Sequence, residues 1–227
     1  MCALNEVKGM NDFMKDWYDI YLNEINLKGN VRNYLDYKIK NKKKLINLIK
    51  KYSHNKKIME AGAGTGIISI YMSSIGYDVT AIDIDKKIQN LSKKICDEYT
   101  TNNKPNFIIK NIMNIDYTEK YFDVIFSNGV LEHFSDKDII RALTLQIKQS
   151  DTVIVGIPTT FFKKEESLYG DERYLSIKKW RDLITKSGGY IVEETSYDYR
   201  TLKEKIMGIN KIFNIKPFRI FVIKKSI

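Results

Sequence analysis

Cysteine, proline and arginine are all scarce in this chain of 227 residues. The two cysteines, Cys2 and Cys96, cannot form a disulfide framework, and no CxxC pair suggests a metal clip. The only histidines are His54 and His133, so no metal site is expected. Three prolines leave no proline-rich linker. No apolar run approaches the ~20 residues that a bilayer span needs. The first 19 residues show neither an apolar signal core nor a small-residue cleavage site, so no signal peptide is read. A cytoplasmic protein with no membrane partner is expected. Acidic charge is also short, with 28 Asp and Glu against 38 Lys and Arg, a net charge of +10.

What is present argues for a packed globular domain. Apolar residues make up 43% and aromatics 12% of the chain, which excludes wholesale disorder. The excess positive charge is nearly all lysine, since arginine occurs at only six positions. One dense cluster, Lys38 to Lys57, holds nine lysines. It reads either as a solvated helix face or as a patch facing phosphates.

Residues 1–55 show apolar residues at helical spacing, Trp17, Tyr18, Tyr21, Leu22 and Ile25, then Leu45, Ile46, Leu48 and Ile49. They are read as a helical N-terminal extension. From residue 56 to 227, short β-rich runs alternate with amphipathic helices. The runs are Lys57–Ala61, Tyr77–Asp83, Phe107–Lys110, Phe122–Ser127 and Val153–Ile157, followed by Tyr190–Thr195 and Phe218–Lys224. The helices are expected near Ile67–Ser74, Lys86–Tyr99, Asp136–Lys148 and Ile177–Ser187. Such alternation predicts an α/β, doubly wound, mainly parallel sheet covered on both faces. The near-continuous apolar strands suit that burial.

The segment richest in chemistry is Glu60-Ala61-Gly62-Ala63-Gly64-Thr65-Gly66, between a strand and a helix. Its glycines let the backbone turn tightly and approach a ligand. Asp83 ends the next strand, about 20 residues on, where a carboxylate can bind a ribose diol. A dinucleotide loop has the spacing GxGxxG, whereas this one reads GxGxG and opens on an acid. Glu60 would repel a pyrophosphate but suits an ammonium or sulfonium. The pattern favours S-adenosylmethionine over NAD.

These motifs, with Ala81-Ile82-Asp83-Ile84, Asn111-Ile112 and Phe122 to Phe134, resemble class I S-adenosylmethionine-dependent methyltransferases of the small-molecule type. The similarity covers roughly residues 35–225. The resemblance implies a Rossmann-like, seven-stranded sheet of order 3-2-1-4-5-7-6 with the last strand antiparallel. It places Glu60, Ala61, Gly62, Gly64 and Gly66 at the methionine end of the cofactor and Asp83 on the ribose. Ile84 then lies against the adenine, and Asn111 and Ile112 bond the adenine edge. Asn128 faces the methionine moiety and the acceptor.

Methyl transfer from a sulfonium needs mainly the positioning of two reactants in a dry site. If the acceptor must lose a proton, a base is required, and His133 and Glu132 are the candidates after the fourth strand. His133 reads equally as a residue that fixes its loop. The acceptor pocket is expected from three places. The first is Trp17, Tyr18 and Tyr21, as a lid. The second is the loop after the fifth strand, with Phe161, Phe162, Tyr169, Asp171, Glu172 and Arg173. The third is the segment with Tyr197 and Tyr199. The leading expectation is methyl transfer to an oxygen or nitrogen of a small molecule, natural product or peptide. The alternatives are RNA methylation through Lys38–Lys57, and a cofactor-binding scaffold without turnover. The end of the fourth strand, Ser127-Asn128-Gly129-Val130, lacks the proline-aromatic clamp that would stack a base.

Overall fold

The computed structural model describes residues 17–100, 102–160, 172–197 and 218–226. Seven strands form one sheet: β1 (Lys57–Ala61), β2 (Asp78–Asp83), β3 (Asn106–Ile109), β4 (Phe122–Asn128), β5 (Ser150–Pro158), β6 (Gly189–Tyr197) and β7 (Phe218–Lys225). Their order is β3-β2-β1-β4-β5-β7-β6. The first five strands are mutually parallel, and β7 runs antiparallel to β5 and β6. This is the Rossmann-like sheet expected from the sequence, order included. The helices are α1 (residues 17–27), α2 (Val31–Asn41), α3 (Lys43–Tyr52), α4 (Ile67–Ser74), α5 (Lys86–Tyr99), α6 (Asp136–Gln149) and α7 (Ile177–Lys186).

Strand periodicity sends alternate side chains to opposite faces. In β4, Ile125 packs under α6 and α7 with Leu143, Ile147, Trp180 and Leu183. Its neighbours Val124 and Phe126 face α3 and α4, against Leu45, Ile49, Ile68 and Met72. A third cluster joins Tyr34 and Leu35 of α2 to Ile67 and Ile70 of α4 and to Leu91 and Ile95 of α5. Tyr18, Tyr21, Leu22 and Ile25 of α1 pack onto it.

Two strands run longer than their apolar cores. β5 starts at Ser150, which pairs with Phe122 of β4, rather than at Val153, and the buried Ser150 hydroxyl shares its one proton between Gln146 O (2.9 Å) and Thr152 O (3.0 Å). β6 continues to Tyr197, which brings that phenol to the carboxyl edge of the sheet. Among the described residues, no helix is long and apolar enough to cross a membrane.

Candidate active site

The strand order reverses between β1 and β4, which are neighbours in the sheet. Their crossovers leave in opposite directions, and a crevice opens at their carboxyl ends. Glu60 and the glycine loop stand on one side of it, Asn128 and Gly129 on the other. Above it lie α1 and α2. The result is a cavity of about 240 Å³.

The glycine loop is held by its own chain. Gly62 N and Ala63 N donate to Ile82 O at 3.0 and 2.9 Å, and Gly64 N donates to Asp83 Oδ2 at 2.8 Å. With these N–H groups engaged, the loop makes a poor cradle for a pyrophosphate. Gly64 has φ +54°, and a methyl group there would stand 2.6 Å from the Tyr21 hydroxyl. Glycine tolerates this backbone angle and leaves room for the Tyr21 side chain of α1 beside the loop. Asp83 accepts a second backbone bond, from Asp85 N at 3.0 Å. Burial raises its pKa, and these two bonds oppose the rise.

Helix α4 has no side-chain cap from its own N-cap residue, Gly66. Glu60 serves instead, reaching from β1 so that its Oε2 accepts from Ser69 N (3.1 Å) and Ser69 Oγ (2.5 Å). Glu60 is buried, and burial pushes its pKa up to about 7 against the pull of the Ser69 bonds. Its Oε1 has no hydrogen-bond partner among the described residues, and Glu60 lines the cavity.

Helix α2 contributes a stripe at four-residue spacing: Tyr34, Lys38 and, at its C-cap, Lys42. The Tyr34 hydroxyl donates to Glu24 at 3.2 Å, and Lys38 pairs with Glu24 at 2.7 Å. Lys42 Nζ donates to the Tyr197 hydroxyl at 3.2 Å, which donates to Asn128 Oδ1 at 2.9 Å. Burial pulls the Lys42 pKa down to about 8, although Glu132, Glu60 and Glu24 all raise it. Asn128 reaches Tyr197 across β5 because residue 156 is glycine; a Cβ there would meet Asn128 Oδ1 at 2.6 Å.

A family profile described as a methyltransferase domain matches residues 59–145. That stretch runs from β1 into α6 and contains the glycine loop, Asp83 and Asn128. Residues 59–145 carry a methyltransferase domain, on the fold that class I S-adenosylmethionine-dependent methyltransferases share. Solved structures with this fold include magnesium protoporphyrin IX methyltransferase from Synechocystis with bound S-adenosylmethionine, at 15% identity and a TM-score of 0.62, covering 86% of this chain and 81% of that one. The CcbJ methyltransferase from Streptomyces caelestis gives 12% identity and a TM-score of 0.64, covering 81% of this chain and 88% of that one. The putative methyltransferase complexed with the Trm112 activator from Haloferax volcanii gives 11% and 0.67, covering 88% and 95%. At such identities the likeness is one of fold. No curated protein matches the sequence.

In this methyltransferase the expected site residues separate into three groups. Glu60, Gly62, Asn128, Glu132, His133, Trp17 and Tyr21 come together around the cavity. The Trp17 ring meets His133 edge-on, with centroids 5.7 Å apart. Asp83, Ile84, Asn111 and Ile112 lie outside the cavity, at the ends of β2 and β3, where Ile84 is exposed. Asn111 Oδ1 already accepts from Met113 N at 2.8 Å, capping a short 3-10 turn. Phe161, Phe162, Tyr169, Asp171 and Tyr199 lie outside the described residues.

Two expected acceptor contacts are elsewhere. Tyr18 packs in the cluster under α1. Arg173 donates to Phe134 O and to Asp136 Oδ1 (2.5 Å), tying the turn after β4 to the start of α6. Its neighbours Glu172 and Tyr174 line the cavity instead. His54 lies at the opposite edge of the sheet, beside Lys120 and Lys224. Sequence reasoning missed Glu24, Tyr34, Lys38 and Lys42 as cavity residues. The 34-38-42 spacing was the available signal, hidden within a general excess of lysine.

Proposed function

We propose that this methyltransferase acts on an oxygen or nitrogen of a small molecule or natural product, a short peptide included, with S-adenosylmethionine as methyl donor. The observation that carries the reading is the size and covering of the cavity. It is a half-open pocket that α1 and α2 cover on one side, walled by Trp17, Tyr21, Tyr34, Tyr174 and Phe218. Such a site suits a compact, partly apolar acceptor better than a nucleic-acid strand. The magnesium protoporphyrin IX methyltransferase from Synechocystis and the CcbJ methyltransferase from Streptomyces caelestis are compatible with it. The RNA reading loses ground, because Lys38 and Lys42 turn into the cavity and Lys51 pairs with Glu193 at 2.6 Å.

The residues present fit the cofactor. Glu24, Glu60, Glu132 and Glu172 give the cavity a carboxylate excess over Lys38 and Lys42, which favours a cationic ligand. The open Oε1 of Glu60 would take the ammonium of the methionine end. Asp83 would accept from the ribose hydroxyls, with Ile84 against the adenine and Ile112 and Asn111 at its edge. The cofactor supplies an activated methyl group on a cationic sulfur. Within the N-terminal extension, α1 and α2 act as the lid and contribute the cavity's cover. His133 is assigned to holding that lid through Trp17 rather than to proton transfer. His133→Ala is then expected to quicken amide hydrogen exchange in residues 17–27, at a cost of about 1 kcal/mol for the lost ring contact, while cofactor affinity changes less than twofold. Unchanged exchange with a collapsed turnover would return His133 to the role of base.

Calorimetric titration of S-adenosylmethionine and S-adenosylhomocysteine, with NAD as control, tests the cofactor assignment. Micromolar binding of the first two and none of NAD is expected. Binding of NAD, or of neither thioether nor sulfonium ligand, would overturn the reading. A panel of candidate acceptors against RNA, scored by methyl transfer, tests the substrate class.

A further inference from the structure

Lys38 and Lys42 stand one turn apart on the same face of α2, yet only one of them has a carboxylate partner. Lys38 is paired with Glu24 at 2.7 Å. Lys42 makes no ion pair among the described residues; its one hydrogen bond goes to the Tyr197 hydroxyl at 3.2 Å. Its Nζ sits 5.4 Å from the Tyr197 ring centroid and 5.7 Å from that of Phe218, two rings that stack on each other. Lys42 is half-buried, and an ammonium drawn partly out of water with donors to spare costs more than a neutral amine.

Resting on the functional reading above, we propose that Lys42 is the proton acceptor of the transfer site, made neutral by the arrival of the cofactor's positive sulfur. The acceptor substrate is accordingly one whose reacting O–H or N–H must lose its proton. Lys42, as the free amine, takes that proton as the new bond to carbon forms and the carbon–sulfur bond breaks, the electron pair remaining on sulfur. The cavity loses the sulfonium charge and gains the ammonium charge in the same step. Its net charge is therefore preserved, so no additional charge has to be accommodated in a partly desolvated site.

The surroundings of Lys42 support the role. Glu24 faces it from α1, Lys38 from α2 and Glu60 from β1; Glu132 and His133 follow β4, and Glu172 precedes α7. Burial outweighs the nearby carboxylates and brings the Lys42 pKa to about 8, within reach of neutral operation. Tyr197 cannot compete for the proton. Burial drives its own pKa far upward, so it stays a neutral phenol that fixes the amine and orients Asn128. A further positive charge in the same cavity can only push the Lys42 pKa lower.

Proton release on ligand binding reads this directly, without an acceptor. The wild-type protein is titrated with S-adenosylmethionine and with S-adenosylhomocysteine in buffers of different ionisation enthalpy. At pH 8 the free protein holds Lys42 about half protonated, so the sulfonium ligand is expected to release up to about half a proton more than the neutral thioether. The ligands' own amino groups titrate nearby, and the variants subtract them. Lys42→Met and Lys42→Arg should each bind both ligands and lose the excess, Met because no amine remains and Arg because it does not deprotonate. An excess that is absent from the wild type, or that survives in both variants, overturns the proposal. Absence of heat with either ligand overturns the functional reading along with it. Once an acceptor is identified, the Arg variant adds a second check: full turnover with Arg at 42 would mean that the residue binds an anion, not a proton.

Discussion

Asp83→Ala is expected to weaken binding of S-adenosylmethionine and S-adenosylhomocysteine at least tenfold, read by calorimetry. Two effects add. Asp83 accepts from Gly64 N at 2.8 Å and from Asp85 N at 3.0 Å, so its carboxylate shapes the glycine loop before any ligand arrives. Alanine leaves both N–H groups without their acceptor, and each partly buried group left unmet costs about 1–3 kcal/mol. The same carboxylate is the assigned acceptor for the ribose hydroxyls, which would lose their partner. Asp83→Asn separates the two. The amide keeps one oxygen for Gly64 or Asp85 but turns an NH₂ toward the other, so it should bind more weakly than wild type and more tightly than alanine. Unchanged affinity in the alanine variant would refute the ribose assignment.

Much of this architecture was legible in the sequence, for identifiable reasons. The strand runs could be read because a doubly covered parallel strand is apolar on both faces. The glycine loop could be read because few residue types tolerate its positive φ values, and because Asp83 follows at a fixed spacing. Arg173 shows the limit. Its position after β5 placed it near the acceptor end, but chain position does not say which way a long side chain turns. Asp136 and the carbonyl of Phe134 drew the guanidinium to the turn after β4. The lysine cluster shows the same limit in reverse. Nine lysines look alike by composition. Only the packing of Tyr34 and Leu35 against α4 and α5 decides that the 34-38-42 face turns inward. Asn128 was placed correctly at the strand end, but the reason that it can reach Tyr197 lies in the neighbouring strand, at a glycine read only as part of an apolar run.

That glycine carries the second large effect. Gly156→Ala is expected to destabilise the fold by about 1–3 kcal/mol, combining the displacement of a crowded side chain with the loss of a partly buried hydrogen bond. Gly156 has no left-handed backbone angle, so the substitution tests space alone. The new Cβ would lie 2.6 Å from Asn128 Oδ1. Asn128 must swing away, and the bond it accepts from Tyr197 at 2.9 Å is lost. Tyr197 is buried, and its hydroxyl then keeps only Lys42 as partner. The amine loses the brace that holds it on the acceptor side, so single-turnover methyl transfer should fall by about ten- to a hundredfold, as misplacement of a reacting group predicts. Cofactor affinity should move much less, since Glu60 and Asp83 are untouched. A second substitution distinguishes crowding from chemistry. Asn128→Ser in the Gly156→Ala background shortens the clashing side chain and should recover most of the stability in urea unfolding, with strong coupling between the two sites. It should not recover the rate, because serine at 128 is too short to restore the Tyr197 bond across β5. Recovery of both would show that the chain from Lys42 through Tyr197 to Asn128 is only packing; recovery of neither would place the damage in β5 itself.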